Sequence, residues 1–196
     1  MSNFAIPKCK KVAIVLSLKN LKTRLAKKTI SRRIHQTKRD AKFLNLEGSR
    51  MLMILFEFKD KTDFEEVEEF SEFLRSLGKQ VKLWGYYPHK NLPLFFTPTG
   101  NQQCLTQKQL RWFPIPCERA IAGFNEYQPD ILIDLSREDC YPLKYLAAIS
   151  QASMKVGCNS NFTQPIFDLL IQKDDDLPLT AFIENIIHYL NHLNKS

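Results

Sequence analysis

Glycine is scarce in this 196-residue chain: there are six, and the loop after the clearest apolar run, Glu57–Thr62, contains none. Both the dinucleotide fingerprint and the P-loop need glycine so that backbone can approach phosphate, so no standard phosphate cradle is expected there. Long apolar runs are missing too. The longest, Val12–Leu18 and Met51–Phe58, fall far short of the roughly 18 residues that a membrane span needs. Lys8, Lys10 and Lys11 precede Val12–Leu18 in the manner of a secretory signal, but a basic stretch follows where a small-residue cleavage site belongs. The five cysteines, Cys9, Cys104, Cys117, Cys140 and Cys158, form no C-x-x-C pair and read as reduced thiols of a cytoplasmic protein.

Acidic residues are nearly absent from the first 50 positions. Asp40 and Glu47 face 14 Lys and Arg there, a net of +12, whereas residues 51–196 carry 14 Lys and Arg against 19 Asp and Glu, a net of −5. The formal +7 therefore joins two parts of opposite sign. The expected organisation follows that division, with a basic segment over 1–48 and a single α/β domain over 49–196.

Between Leu18 and Leu46 there is no Gly or Pro, and Leu18, Leu21, Leu25, Ile34, Ala41 and Leu44 repeat near the helical period, which predicts one long basic helix closed by Gly48. Residues 1–17 are expected to be irregular or a short apolar anchor. Met51–Phe58 reads as a strand buried on both faces. Asp63 is expected to cap a helix presenting Phe64, Val67, Phe70, Phe73, Leu74 and Leu77 inward and ending at Gly78, before a strand over Lys79–Tyr87. Residues 88–117, rich in Pro, predict a long connection with one or two short strands and a helical turn near Thr106–Leu110. The βα rhythm then resumes, with a helical Cys117–Tyr127, a strand at Asp130–Ser136 and a helix at Pro142–Ala152. Strands at Met154–Gly157 and Ile166–Ile171 follow. A last helix, Leu179–Leu193, buries Phe182, Ile186, Tyr189, Leu190 and Leu193. The fold class is α/β, a three-layer sandwich with a mainly parallel, Rossmann-like sheet of about five strands, preceded by a long basic N-terminal helix.

The basic helix of Leu21–Phe43, the strand Ile54–Phe58 and the segments Tyr127–Ser136, Tyr145–Gly157, Phe167–Ile171 and Phe182–Leu190 together resemble a family of small uncharacterised Bacteroidota proteins, a domain of unknown function. That resemblance implies no activity. Within Tyr127–Gly157, an Asp-x-x-Ile-Asp-Leu strand at Asp130–Leu135 and a Lys-x-Gly strand at Lys155–Gly157 are similar to the acceptor-side half of the ADP-heptose glycosyltransferases. Those enzymes bind the nucleotide sugar in a second half of similar size. Only 39 residues follow Gly157, so no donor half is expected.

A parallel sheet binds ligands at the carboxyl ends of its strands, which predicts a cleft lined by Lys59, Asp60, Lys61, Tyr86, His89, Asp134, Ser136 and Arg137. Asp134 and Asp139 could pair as acid and base, although an Asp at a strand end also caps the following helix. No G-x-S-x-G elbow exists, and no histidine neighbours Cys117 or Cys140, so both read as packed thiols. His188 and His192, with Glu184, share one helix face, but H-E-x-x-H is absent and no metal is expected; Asp174–Asp176 reads as an exposed turn. No cofactor is expected.

The basic helix carries the strongest signal. Lys19, Lys22, Arg24, Lys27, Lys28, Arg32, Arg33, Lys38, Arg39 and Lys42 surround it, a density that repels itself unless it is solvated or meets anions. Phosphate backbones supply such a partner, with few aromatic residues interleaved for stacking. Docking against the acidic remainder, against a protein partner or on anionic lipid are the competing roles. The expected function is that of a non-catalytic cytoplasmic protein docking on RNA or a ribonucleoprotein through this helix. The alternatives are an enzyme or small-ligand binder using the strand-end cleft, or a protein or membrane-surface adaptor.

Overall fold

The structure, a computed structural model, describes residues 8–136, 139–159, 162–163, 165–172 and 177–193, and for residues 8–16 the helical backbone alone. Arg137, Asp174–Asp176 and the side chains of Lys8–Lys11 and Val12–Val15 lie outside the described residues.

Six parallel strands form one sheet. They are β1 (Met51–Glu57), β2 (Gln80–Tyr87), β3 (Gln102–Thr106), β4 (Ile131–Asp134), β5 (Met154–Cys158) and β6 (Leu169–Ile171), in the spatial order β3-β2-β1-β4-β5-β6. The strand beyond the expected five is β3, which the Pro-rich connection contributes as an edge. A 3-10 turn over Gln107–Gln109 follows it, and the Cys117–Tyr127 stretch forms two more, Glu118–Ile121 and Phe124–Glu126. β1 lies at the centre because Leu52–Phe56 are apolar on both faces. Leu55 pairs with Trp84 on one side and Asp134 on the other. Strand order reverses between β1 and β4, and in open α/β sheets that reversal opens the crevice at the carboxyl ends.

Helices cover both faces. α2 (Lys61–Ser76) and α4 (Leu179–His192) enclose one core with Leu52, Ile54, Phe56 and Ile133; α3 (Tyr141–Ile149) lies over Met53, Leu55, Trp84 and Leu132 on the other face. α2 is capped by Asp60, not Asp63: the Asp60 carboxylate accepts from the Asp63 N–H at 3.0 Å, while Asp63 accepts from the Lys59 N–H. Only Phe64, Val67, Phe70, Ser71 and Leu74 of α2 are buried; Phe73 and Leu77 are exposed. The chain leaves α2 through Gly78 at φ +79°, a conformation that a side chain rarely adopts. α4 buries Leu179 and Ile183 with Phe182, Ile186 and Leu190, whereas Tyr189 is half exposed.

The basic helix departs most from expectation. α1 spans Lys8–Gln36, so it starts within the stretch expected to be irregular and stops ten residues before Leu46. Its buried residues are Ala26 and Ile30, flanked at helical spacing by the half-buried Thr23, Ile34 and Thr37, and this side packs on α3. The leucine stripe is not the core side. Leu18 and Leu21 are 49% and 45% exposed, Leu25 is half-buried and Ala41 is exposed. The shape of the contact explains this: small Ala26 lets the helix approach α3 closely, and the bulkier leucines fall on the outer side.

After Thr37 the chain runs as an extended strap past the start of β5. The Lys42 N–H donates to Ser153 O at 2.9 Å, Leu44 N–H to Met154 Sδ and Leu46 N–H to Leu190 O. Arg39 secures it, its guanidinium reaching both oxygens of Asp168 and the carbonyls of Ala152 and Ser153. These long-range bonds override a local sequence that has no helix stop. Gly48 closes a turn, donating to Asn45 Oδ1 at 2.7 Å, rather than a helix.

Candidate functional site

At the carboxyl end of β4 the chain turns through Leu135 and Ser136, and one turn into α3 Lys144 reaches back. Asp134 Oδ2 accepts from Lys144 Nζ at 2.8 Å; its Oδ1 accepts from the Ser136 N–H at 2.9 Å and the Ser136 hydroxyl at 2.6 Å. Lys144 Nζ also donates to Ser136 Oγ at 2.9 Å and lies 5.2 Å from the Phe167 ring centre. All three are sealed, at 0%, 2% and 1% exposure for Asp134, Ser136 and Lys144. Here, where the strand order reverses, the polar groups spend their bonds on one another. Asp134 does not cap α3, whose N-cap is Cys140, and it does not pair with Asp139, which is exposed and 4.0 Å from Lys27 Nζ.

The other residues expected in the cleft are not gathered around this network. Tyr86 is buried on β2 beside Glu57, and burial, with lesser contributions from Cys140, Glu57 and Cys104, pushes its phenol up to about 12. Burial likewise raises the Cys140 thiol well above its usual value, the opposite of an activated nucleophile. Lys59 and Lys61 are at the surface, where Lys61 pairs with Glu65 at 2.6 Å. His89 is exposed, its ring 4.7 Å from that of Tyr87, and Asp60 is committed to the α2 cap. The rings of His188 and His192 lie 4.3 Å apart, with His192 Nδ1 donating to the His188 carbonyl at 2.6 Å.

The ten basic residues expected on one helix divide into three groups. Lys19, Lys22, Arg24, Lys28 and Arg32 are exposed on α1 and make no hydrogen bond or ion pair with the described residues. Lys27 and Arg33 are half-buried: Lys27 Nζ lies 5.2 Å from the Phe162 ring centre, and Arg33 approaches Gln36 Oε1 at 3.5 Å. Lys38, Arg39 and Lys42 belong to the strap. Arg39 is taken up by Asp168, and Lys42 pairs with Asp40 at 2.6 Å. Arg24, Lys28 and Arg32, unpaired among the described residues, thus share the outer side of α1 with Leu18 and Leu21, whereas Lys19 and Lys22, seven and four positions before Ala26, stand on the Ala26 side, exposed beyond the part of it that packs on α3.

Two buried lysines escape sequence reasoning. Besides Lys144, Lys155 is 3% exposed on β5 and donates from Nζ to Ala147 O at 2.7 Å. The available signal was a single lysine within an otherwise apolar segment in each case, Tyr141–Ile149 and Met154–Val156.

This architecture, an all-parallel sheet in the order 3-2-1-4-5-6 with helices on both faces, defines an α/β protein of Rossmann-like class. Within it, residues 22–193 match the model of a family of unknown function, DUF6913, and the chain belongs to that family. No curated protein matches it. Among solved structures it is similar to the glycosyl transferase family 9 protein of Veillonella parvula DSM 2008, at 16% identity and a TM-score of 0.44. The match covers 80% of this chain and 44% of that one, so the chain spans less than half the length of this neighbour. Among the described residues no helix is long and apolar enough to cross a membrane.

Proposed function

We propose that this protein is a non-catalytic docking protein that holds a phosphate-bearing polyanion, RNA or a ribonucleoprotein, against the outer side of α1. The observation that carries the reading is the group Lys19, Lys22, Arg24, Lys28 and Arg32, exposed on one helix and without protein partners among the described residues. Cations in that state gain from phosphate contact and counterion release, and the helix is held on the body by Ala26 and Ile30, so its outer side is free to meet a partner. The strand-end groups give this reading indirect support, because Asp134, Ser136 and Lys144 are occupied with one another.

A second reading, docking on an anionic lipid surface, is favoured by Leu18 and Leu21, which lie exposed between the cations and have no use for a phosphate backbone. One set of variants separates the two. Arg24→Glu with Lys28→Glu and Arg32→Glu abolishes the salt-sensitive binding of the full chain to single-stranded RNA and to phosphatidylserine vesicles alike. Leu18→Ser with Leu21→Ser weakens vesicle binding alone. RNA affinity that does not change with salt or with the charge reversal sinks the first reading.

A further inference from the structure

A cavity of about 540 Å³ lies between the end of α1, the end of α3 and the 3-10 turns of Glu118–Asn125, away from both the outer side of α1 and the strand-end network. Its volume is in the range of small-molecule sites, roughly 300–1,000 Å³. Ile121 and Ile149 give it an apolar wall, and Arg33, Lys38, Asn125 and Tyr145 bring polar groups to it.

Tyr145 is the telling residue. It is 2% exposed, yet its hydroxyl makes no hydrogen bond with any described residue, whereas a buried phenol normally finds a partner. No fully enclosed side-chain nitrogen or oxygen among the described residues lacks a partner, so this hydroxyl keeps some contact with solvent, and Tyr145 is one of the residues that line the cavity. The charges there are also unspent. Lys38 has no partner among the described residues, and Arg33 has only the 3.5 Å approach to Gln36 Oε1. Among the described residues the one carboxylate on the cavity wall is that of Glu118, and it is shared with Arg111 at 3.4 Å.

We infer that this cavity binds a small organic anion, its single oxyanion head held by Arg33, Lys38 and the Tyr145 hydroxyl and its body lying against Ile121 and Ile149. An unpartnered phenol donor beside two uncommitted cations is a set that matches carboxylate or phosphate oxygens. The head carries limited charge, because α1 ends at Gln36 and α3 at Ile149, both on the cavity wall. The negative ends of the two helices disfavour a di- or triphosphate.

Calorimetric titration of the full chain tests this with adenosine 5′-monophosphate and glucose 6-phosphate as phosphate probes, indole-3-acetate as a carboxylate probe and adenosine triphosphate as the highly charged control. The expected result is that one phosphate or carboxylate probe binds more tightly than the triphosphate. Tyr145→Phe, which keeps the ring, weakens it about tenfold, and Lys38→Gln weakens it several-fold. Both variants are checked for an unchanged melting temperature. Lys28→Glu on the outer side of α1 leaves probe binding intact, so failure here and failure of the docking reading are read separately. The inference is overturned if no probe binds at about 5 mM, if the triphosphate binds best, or if the bound probe keeps its affinity in both Tyr145→Phe and Lys38→Gln.

Discussion

Lys144 and Lys155 are both buried on the α3 side of the sheet, one nearer the carboxyl ends of the strands and the other beside the strap, and they meet opposite electrostatic situations. Lys144 faces a carboxylate free to receive it: Asp134 gives it one oxygen and gives the other to Ser136. Lys155 lies near Asp168, but both oxygens of that carboxylate are taken, by the Arg39 fork and by the Lys155 backbone N–H. Its ammonium is left with the Ala147 carbonyl, and burial, reinforced by Arg39 and only partly offset by Asp168, lowers its pKa to about 7. Proximity to an acid does not stabilise a buried lysine if another cation already occupies that acid. The strap and Lys155 compete for Asp168, and the strap has it.

The largest expected effect comes from breaking the Lys144 arrangement. Asp134→Ala strands a buried ammonium and should lower unfolding free energy by about 3–5 kcal/mol, read as a drop in the urea midpoint. Adding Lys144→Met should return most of that loss, because the uncompensated charge is then gone.

The Lys155 arrangement shows itself in pH dependence. Between the folded pKa of about 7 and the unfolded value near 10.5, the unfolded chain binds a proton that the folded chain does not, so stability rises with pH across that window. Below about 7 both states are protonated and the penalty of burial is fully present. The rise is on the order of a few kcal/mol at most. Above the ordinary thiol and phenol values, near 9 to 10, Cys104, Cys140 and Tyr86 oppose it, since their raised folded values favour the folded state only while they keep their protons. Subtracting the stability profile of Lys155→Met from that of the wild type should isolate the rise. Arg39→Ala should move its onset to higher pH, as one influence lowering the pKa is removed.

A smaller effect is expected at Gly157, where an added Cβ would lie 2.7 Å from the Phe167 ring that also covers Lys144. Gly157→Ala should cost about 1–3 kcal/mol in a chemical melt, and a melting curve indistinguishable from wild type would mean that the ring moves freely. The smallest concerns the strap itself. Lys42→Ala removes a pair exposed on both sides, with Asp40, and should leave the denaturation midpoint unchanged, in contrast with Arg39→Ala.

What could be read from the sequence follows the same physical division. β1, β2, α2 and α4 were legible because alternation or helical spacing recorded local burial in residues such as Leu52–Phe56 and Phe64–Leu74. α1 was legible as a helix, but its end and its buried side were not. The end is set by Arg39 meeting Asp168, a partner 129 positions away, and the buried side by Ala26, whose small size carries little weight in a hydrophobic pattern. The strand expected to run to Ser136 ends at Asp134, and Lys144, which bonds to both residues, was not foreseen, since it looks like any solvated helix lysine until α3 is laid on the sheet. Tyr145, next in sequence, was invisible for the same reason.

The strap also orders events in time. α1 is made first, yet the residues that receive it are made late: Ala26 and Ile30 await α3, and Arg39 awaits Ser153 and Asp168. During synthesis more than a hundred residues must follow before these contacts can close, so the most basic part of the chain completes its docking only after most of the sheet has been made.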